Sequence, residues 1–291
     1  MGLGTDHIST TTAAVLIPEK WRGKVNDFFR AKLKAAAFFE DWSEDVSDGG
    51  DIIHTPNISE MTANAKTAGA EVTLNAPTET DVDLTINVHN EVSFIIEDVV
   101  KSKVKASYRL QENYAQNAGY TVAATLEDAI IALFSGFSQS VGTSAIALND
   151  SNIRAAIALL DANDVPEEDR AFFLHGNVIW NQIQGTDKFS LLQNTNGADP
   201  VLKGQVGRLY NIPVIQTSRL GVTLGSRNGA LAHKSAIAFA TANLAGGDMP
   251  GTVRLQSDYI LEYLGDLVVA DIIFGVIENR DTSGIYIKAS S

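Results

Sequence analysis

Residues 160–175 read LDANDVPEEDRAFFLH, and the order of residue types in that stretch decides the architecture. Upstream, Ile153, Ile157 and Leu160 recur at helical spacing behind Ser151, a residue suited to capping a helix start. Asp164 and Glu167, three apart around Pro166, have the form of a second helix start. Residues 171–175 are a short apolar run, the signature of a buried strand, and residues 177–184 read as another short helix. Helix, polar corner, strand and helix follow one another with no slack between them. That succession predicts a compact α/β unit.

Downstream of this unit, residues 185–207 form a polar loop with 194–199 at its tip. Residues 208–217 and 230–240 read as strands, and the glycine-rich stretch 243–251 as a hinge. The last forty residues, 252–291, are β-rich, with strand candidates at 253–264, 267–277 and 285–287 and a turn at 279–284. Upstream lies a long helix. Leu110, Tyr114, Ala118, Val122, Leu126, Ile130 and Phe134 fall every fourth residue, so the apolar stripe drifts about 40° per step around the axis. No single flat partner covers such a stripe, and different elements are expected to bury it along its length.

Charge is unevenly distributed. The 291 residues carry 22 Lys+Arg against 35 Asp+Glu, a net charge of −13, which excludes a surface that is basic throughout, as a general phosphate binder requires. Yet residues 20–34 hold Lys20, Arg22, Lys24, Arg30, Lys32 and Lys34 against Asp27 alone, opposite an apolar face of Trp21, Val25, Phe28, Phe29 and Leu33. Pro18 suits the first turn of this amphipathic helix, which extends to Ala37. Residues 51–100 reverse the sign, with Lys66 the only cation among nine carboxylates that include Glu71, Glu79, Asp81 and Asp83. Period-two alternation at Val82, Leu84, Ile86 and Val88, resumed at Val92, Phe94 and Ile96 after a break at 89–91, predicts a long two-stranded ribbon with residues 51–58. A lone ribbon is marginal in water, so this one is expected to lie on another surface. Lys101, Lys103, Lys105 and Arg109 follow with no acid among them.

The inventory for chemistry is thin. Cysteine is absent, which removes disulfides, thiolate metal sites and cysteine nucleophiles. His7, His54, His89, His175 and His233 are scattered with no pair at helical ligand spacing. No phosphate loop or nucleophile elbow occurs; residues 136–140, GFSQS, lack the second glycine. The expectation is a protein that is not an enzyme and takes no cofactor. Apolar residues make up 45% of the chain, enough to bury a core, and no apolar run reaches the length of a membrane span, so a soluble protein is expected.

The order of parts (leader, basic arm, acidic ribbon, long helix, compact α/β unit, glycine hinge, closing strands) resembles that of the major capsid proteins of tailed bacteriophages, the Hong Kong 97 phage fold. The stretch 160–175 with the helix NVIWNQI at 177–183 is similar to the family's helix, loop, strand and helix in its axial domain, and GRLYNIPVI at 207–215 and LAHKSAIAF at 231–239 are similar to the strands that follow. The resemblance covers roughly residues 15 to 290. It implies an α+β fold with an N-terminal arm (1–50), an extended β-hairpin loop (51–97), a peripheral domain made of the spine-helix segment (98–148) and closing strands (252–291), and an axial domain (149–251). It further implies self-assembly as hexamers and pentamers into an icosahedral virion shell in the bacterial host cytoplasm, around non-specifically held double-stranded DNA, with scaffolding, portal and decoration proteins as further partners and no membrane. On that reading Lys20, Arg22, Lys24, Arg30, Lys32 and Lys34 face the DNA. The loop residues Lys66, Glu71, Glu79, Asp81 and Asp83 then meet a neighbour's strip of Lys101, Lys103, Lys105 and Arg109. An encapsulin-like compartment shell and a cytosolic α/β enzyme are the alternatives.

Overall fold

In the computed structural model the described residues are 33–46, 49–59, 61–103, 110–144, 146–183, 207–223, 226–242 and 253–290. Most of the basic helix, the polar loop 185–206 and the glycine hinge lie outside them. In chain order the elements are β1 (Glu40–Asp41), β2 (Ile52–Ile58), β3 (Glu79–Thr85), β4 (Val88–Glu97), α1 (Asp98–Lys103), α2 (Leu110–Leu133), β5 (Ser140–Gly142), α3 (Asp150–Ala162), β6 (Arg170–Leu174) and α4 (Gly176–Val178). There follow β7 (Arg208–Leu209), β8 (Ile212–Gln216), β9 (Val222–Thr223), β10 (Ser226–His233), β11 (Ile237–Thr241), β12 (Arg254–Ile260), β13 (Gly265–Glu278) and β14 (Gly284–Ser290).

β13 organises the first sheet. Along one edge it pairs with β4, from Gly265↔Glu97 to Phe274↔Val88. Along the other it pairs first with β12 and then with β11, which lie end to end, and β1 adds in parallel outside β11. Alternation sorts its side chains: Ala270, Ile272 and Phe274 join Ala118, Val122, Leu126 and Ile130 of α2 in one buried cluster, while Ile273 and Ile277 face the opposite side. Thus the spine stripe is buried as its drift requires. Tyr114, at its start, is half exposed; Ala118 to Phe134 are buried by sheet and then by the segment 35–39.

The second sheet runs β5-β14-β10-β6-β8-β7, with β9 on β10. All five residues of β6 are buried. Phe172 and Leu174 meet Ile153, Ala156 and Leu160 of α3, while Ala171 and Phe173 turn to the α2 side. There Phe38, Phe39, Phe134 and Phe173 pack ring on ring at 5.2–6.0 Å between centroids, each such pair adding about 1 kcal/mol to its area burial. Three segments carry the chain between the sheets: 134–139 from α2 to β5, 234–236 from β10 to β11, and 279–283 from β13 to β14.

Several local readings are corrected. The cap of α3 is Asn149, whose side chain accepts from the Asn152 N–H at 2.9 Å, two residues before Ser151. No helix starts at Asp164: Asp164 and Asp169 have φ of 54° and 53°, and the Val165 N–H closes the helix end on Leu160 O. A compact corner results because Arg170 donates to Val165 O and Pro166 O and pairs with Asp161 at 2.7 Å. Residues 230–240 are two strands in two sheets, since the 3-10 turn Lys234–Ala236 redirects the chain. The ribbon's break falls at Ile86–Asn87, so β4 leaves it for β13. Around residues 33–37 the helix reading gives way to a turn, because the N–H groups there are spent on Glu127.

Candidate inter-subunit interface

β2 and β3 form a two-stranded sheet in exact antiparallel register, Ile52↔Thr85 to Ile58↔Glu79. Its base is seated on the body. Leu84 and Ile86 pack with Val46, Ala238 and Ala240, and the Ile86 N–H donates to Asp51 O at 2.8 Å. Gly275 of β13 makes this seat possible, since a Cβ there would fall inside contact distance of Thr85 O. Beyond the base the ribbon leaves the body: every described residue from 56 to 81 is exposed. Leu74 is 86% exposed, and Ile58, Met61 and Val72 about two thirds.

The distal end is ordered by its own polar contacts. Asn75 donates to Thr62 O at 2.7 Å, Thr78 N–H to Ser59 Oγ at 2.9 Å, and Lys66 Nζ to the carbonyls of Thr67 and Ala70, closing the turn at Gly69. Lys66 therefore acts on the loop tip itself. Glu71, Glu79, Asp81 and Asp83 stay exposed. Cross-strand pairing brings His54 Nδ1 to 2.6 Å from Asp83 and 4.0 Å from Asp81, and one ligand atom of each lies within 4.8 Å of the others. Among the described residues this group has a spacing that suits a cation; all three are open to water and His54 is already hydrogen-bonded within the group.

The basic strip divides. Lys101 of α1 is partnered within the chain, at 2.6 Å from Asp266 and 3.2 Å from Asp98, and Tyr259 donates to Asp98 at 2.8 Å. These bonds hold the Asp98 carboxyl below and the Lys101 amine above their usual ranges, through Tyr259 and Asp266 respectively. Lys103 is exposed; Lys105 and Arg109 lie outside the described residues. Of the arm residues only Lys34 is described, and its Nζ donates to Gln216 O. Lys20, Arg22, Lys24, Arg30 and Lys32 lie outside.

Three features escaped the sequence reading. Glu127 of α2, fully buried, accepts from the N–H groups of Lys34, Ala35 and Ala36 at 2.8–3.1 Å and so fixes where the arm meets the spine. Its signal was an acid set among Leu126, Ile130 and Ile131 on the apolar face. At the β12–β13 turn, Leu261, Tyr263 and Leu264 stand exposed, as do Val99 and Val100 of α1, whose first residue Asp98 donates its N–H to Leu264 O at 2.9 Å. Their signal was apolar residues where turn chemistry favours polar ones; Leu264 adopts φ 46°. Third, Asp271 at mid-strand receives Arg254 at 2.6 Å and His89 at 3.0 Å, tying β12, β13 and β4 together, and Arg254 is the main reason its carboxyl is held low.

Similarity to known structures follows this geometry. A structure from Mycobacterium phage Che8 matches with a TM-score of 0.80 at 19% identity, covering 93% of this chain and 96% of that one. The capsid structure of cyanophage P-SCSP1u matches at 0.77 and 16%, covering 100% and 97%, and the mature capsid of bacteriophage PhiM1 at 0.76 and 13%, covering 99% and 96%. No protein-family model and no curated protein matches the sequence. The chain has the α+β fold of phage major capsid proteins.

Proposed function

We propose that this chain is the major capsid protein of a tailed double-stranded DNA bacteriophage, a structural protein rather than an enzyme, whose copies close as hexamers and pentamers into an icosahedral head. One observation carries the reading: a ribbon in full register projects from the body, and beyond its base none of the described residues covers it. A covering partner outside the chain supplies the burial that a lone hairpin lacks. In a closed shell of one protein that partner is a neighbouring copy.

On this reading the carboxylates Glu71, Glu79, Asp81 and Asp83 meet the neighbour's cations Lys103, Lys105 and Arg109, with Lys101 contributing less because Asp98 and Asp266 already hold it. Each exposed pair contributes about 0–1 kcal/mol, so the effect depends on repetition around the shell. The arm cations from Lys20 to Lys34 face inward to DNA, and the otherwise acidic wall keeps the genome from adhering. Scaffolding, portal and decoration proteins complete such a particle in the host cytoplasm.

The test is to express the full chain, separate it by size and image it. Closed shells that retain DNA are the expected result. A monomer or small oligomer under all assembly conditions refutes the capsid reading, and shells filled with protein cargo and no DNA refute the genome role.

A further inference from the structure

The crossing from β10 to β11 is the shortest of the three that join the sheets, and a histidine side chain holds it. His233, the last residue of β10, is extended, with φ −83° and ψ 155°, and its Nδ1 accepts the Ser235 N–H at 3.1 Å with the Ser235 hydroxyl 2.8 Å away. Other parts of the molecule converge on the turn so capped. Asp169 O accepts the Lys234 N–H at 3.0 Å, Ala236 O accepts the N–H groups of Asn279 at 2.9 Å and Arg280 at 3.2 Å, and Ser235 O accepts from Asn279 Nδ2 at 3.3 Å. The second crossing is thereby bound to the third and to the corner before β6.

An imidazole nitrogen accepts an N–H only while it carries no proton itself. In the neutral ring the proton lies on Nε2 and Nδ1 is free to cap; in the charged ring both nitrogens are donors, and Nδ1 faces a second donor in the Ser235 amide. The Ser235 hydroxyl can turn to accept from the charged ring, but the amide cannot. It is left without its acceptor in a half-buried turn, which costs more than the bond was worth. We infer that His233 is an acid-operated release at the joint: its neutral ring holds the turn 234–236 closed, and a proton on Nδ1 frees the Ser235 amide and loosens the crossing together with its contacts from Asn279 and Arg280. The same chemistry recurs at the far end of β6, where His175 Nδ1 accepts the Asn177 N–H at 3.0 Å. That ring caps a helix, α4, and not a crossing, so it serves as an internal comparison.

Two acids and two arginines bear on the His233 ring: Asp169 from the corner before β6, Glu40 of β1, Arg170 across the β6–β10 ladder and Arg280 from the third crossing. The acids favour the proton and the arginines disfavour it, so burial, the largest influence, decides and lowers the His233 pKa. Burial and then Arg227 lower that of His175. The sign follows. A ring whose pKa falls on folding stabilises the fold while neutral, so that stability is full above the ordinary imidazole value of about 6.5 and is lost as pH drops below it. Glu278, pushed up to about 7 chiefly by burial, works the other way, its contribution fading as pH rises.

The release is tested on the full-length protein by hydrogen exchange resolved to single amides between about pH 5 and about pH 8, each rate divided by its intrinsic value at that pH. Protection at Ser235 is expected to fall about tenfold or more toward the acid end, and that at Asn279 and Arg280 with it, while Leu231 in the middle of β10 holds. His233→Asn offers an oxygen to the same amide and cannot titrate, so it should level the profile at Ser235 and leave that at Asn177, under His175, as in the wild type. Wild-type protection at Ser235 that stays flat, or falls only in step with Leu231, overturns the release. So does an undiminished fall in His233→Asn, and so does a fall at Ser235 that Asn279 and Arg280 do not share, which would confine the effect to one bond. If the variant does not fold, the wild-type comparison of Ser235 with Leu231, Asn279 and Arg280 decides alone.

Discussion

Two ladders of this protein have the same length and opposite surroundings. β2–β3 and β10–β14 are both antiparallel with seven residue pairs in register. Between β6 and β5, β10–β14 is buried on both faces and both edges, with Leu231, Ile285 and Ile287 facing one core and Ala230, Ala232 and Tyr286 the other. β2–β3 has no further strand on either edge among the described residues, and its side chains are mostly in solvent. Backbone pairing is therefore not what distinguishes a buried strand from an exposed one. Each intramolecular hydrogen bond contributes only about 1 kcal/mol net, so the difference lies in side-chain burial, which the first ladder completes and the second leaves incomplete among the described residues.

The sharpest way to break that comparison is to delete residues 62–73. The seat at Leu84, Ile86 and Gly275 remains, so the subunit should melt within a few degrees of wild type while closed particles disappear from electron micrographs. Normal particles from this deletion would mean that the ribbon's exposure has no role in assembly. A loss of both folding and assembly would mean that the ribbon belongs to the body after all.

Glu127 tests the opposite kind of region, where burial is complete. In Glu127→Ala the amides of Ala35 and its neighbours lose their acceptor, at a cost of about 2–4 kcal/mol, less than the bonds would sum to because residues 33–36 can peel into water. Denaturant melting measures the loss. Exchange protection at residues 34–36 should vanish first, while that of β10 and β14 persists.

Gly275→Ala joins the two regions. The new methyl group meets Thr85 O, and the body cannot yield because β13 is paired on both edges, so the ribbon base must shift. Overpacking of this kind costs about 1–3 kcal/mol. A modest fall in melting midpoint with a disproportionate fall in particle yield is the expected pair of results; equal losses would show that the seat serves stability alone.

Much of this was legible because period and polarity act locally. The alternation at Val82 and Leu84, the four-residue stripe of α2 and the apolar run at β6 each state their burial in their own sequence. Contacts between distant residues were not legible. Ser138 meets Asp281, and Glu127 meets Ala35, across separations at which residue type carries no information about proximity. The corner at 164–169 misled for a related reason: Asp and Glu around Pro favour helix starts and tight turns alike, and Arg170, binding back to Val165 O, decided for the turn. The ribbon was legible as strands, but where it parts from β4 depended on β13, almost two hundred residues away in the chain by the pairing of His89 with Ile273.

The smallest effect separates two lysines two residues apart. Lys101→Ala removes a cation that Asp98 and Asp266 already share, and because the network is exposed its loss changes subunit stability little. Freed of Lys101, those two carboxylates add negative charge beside the strip proposed to receive the ribbon, a change that would repel its acids. Lys103→Ala leaves no such acids behind, since Lys103 has no ion pair among the described residues. Ribbon docking governed by the local field thus predicts that Lys101→Ala weakens assembly about as much as Lys103→Ala despite the internal pairing, whereas docking governed by direct ion pairs predicts that only Lys103→Ala does. Particle yield against salt distinguishes them, because the field contribution fades once the screening length falls below about 8 Å.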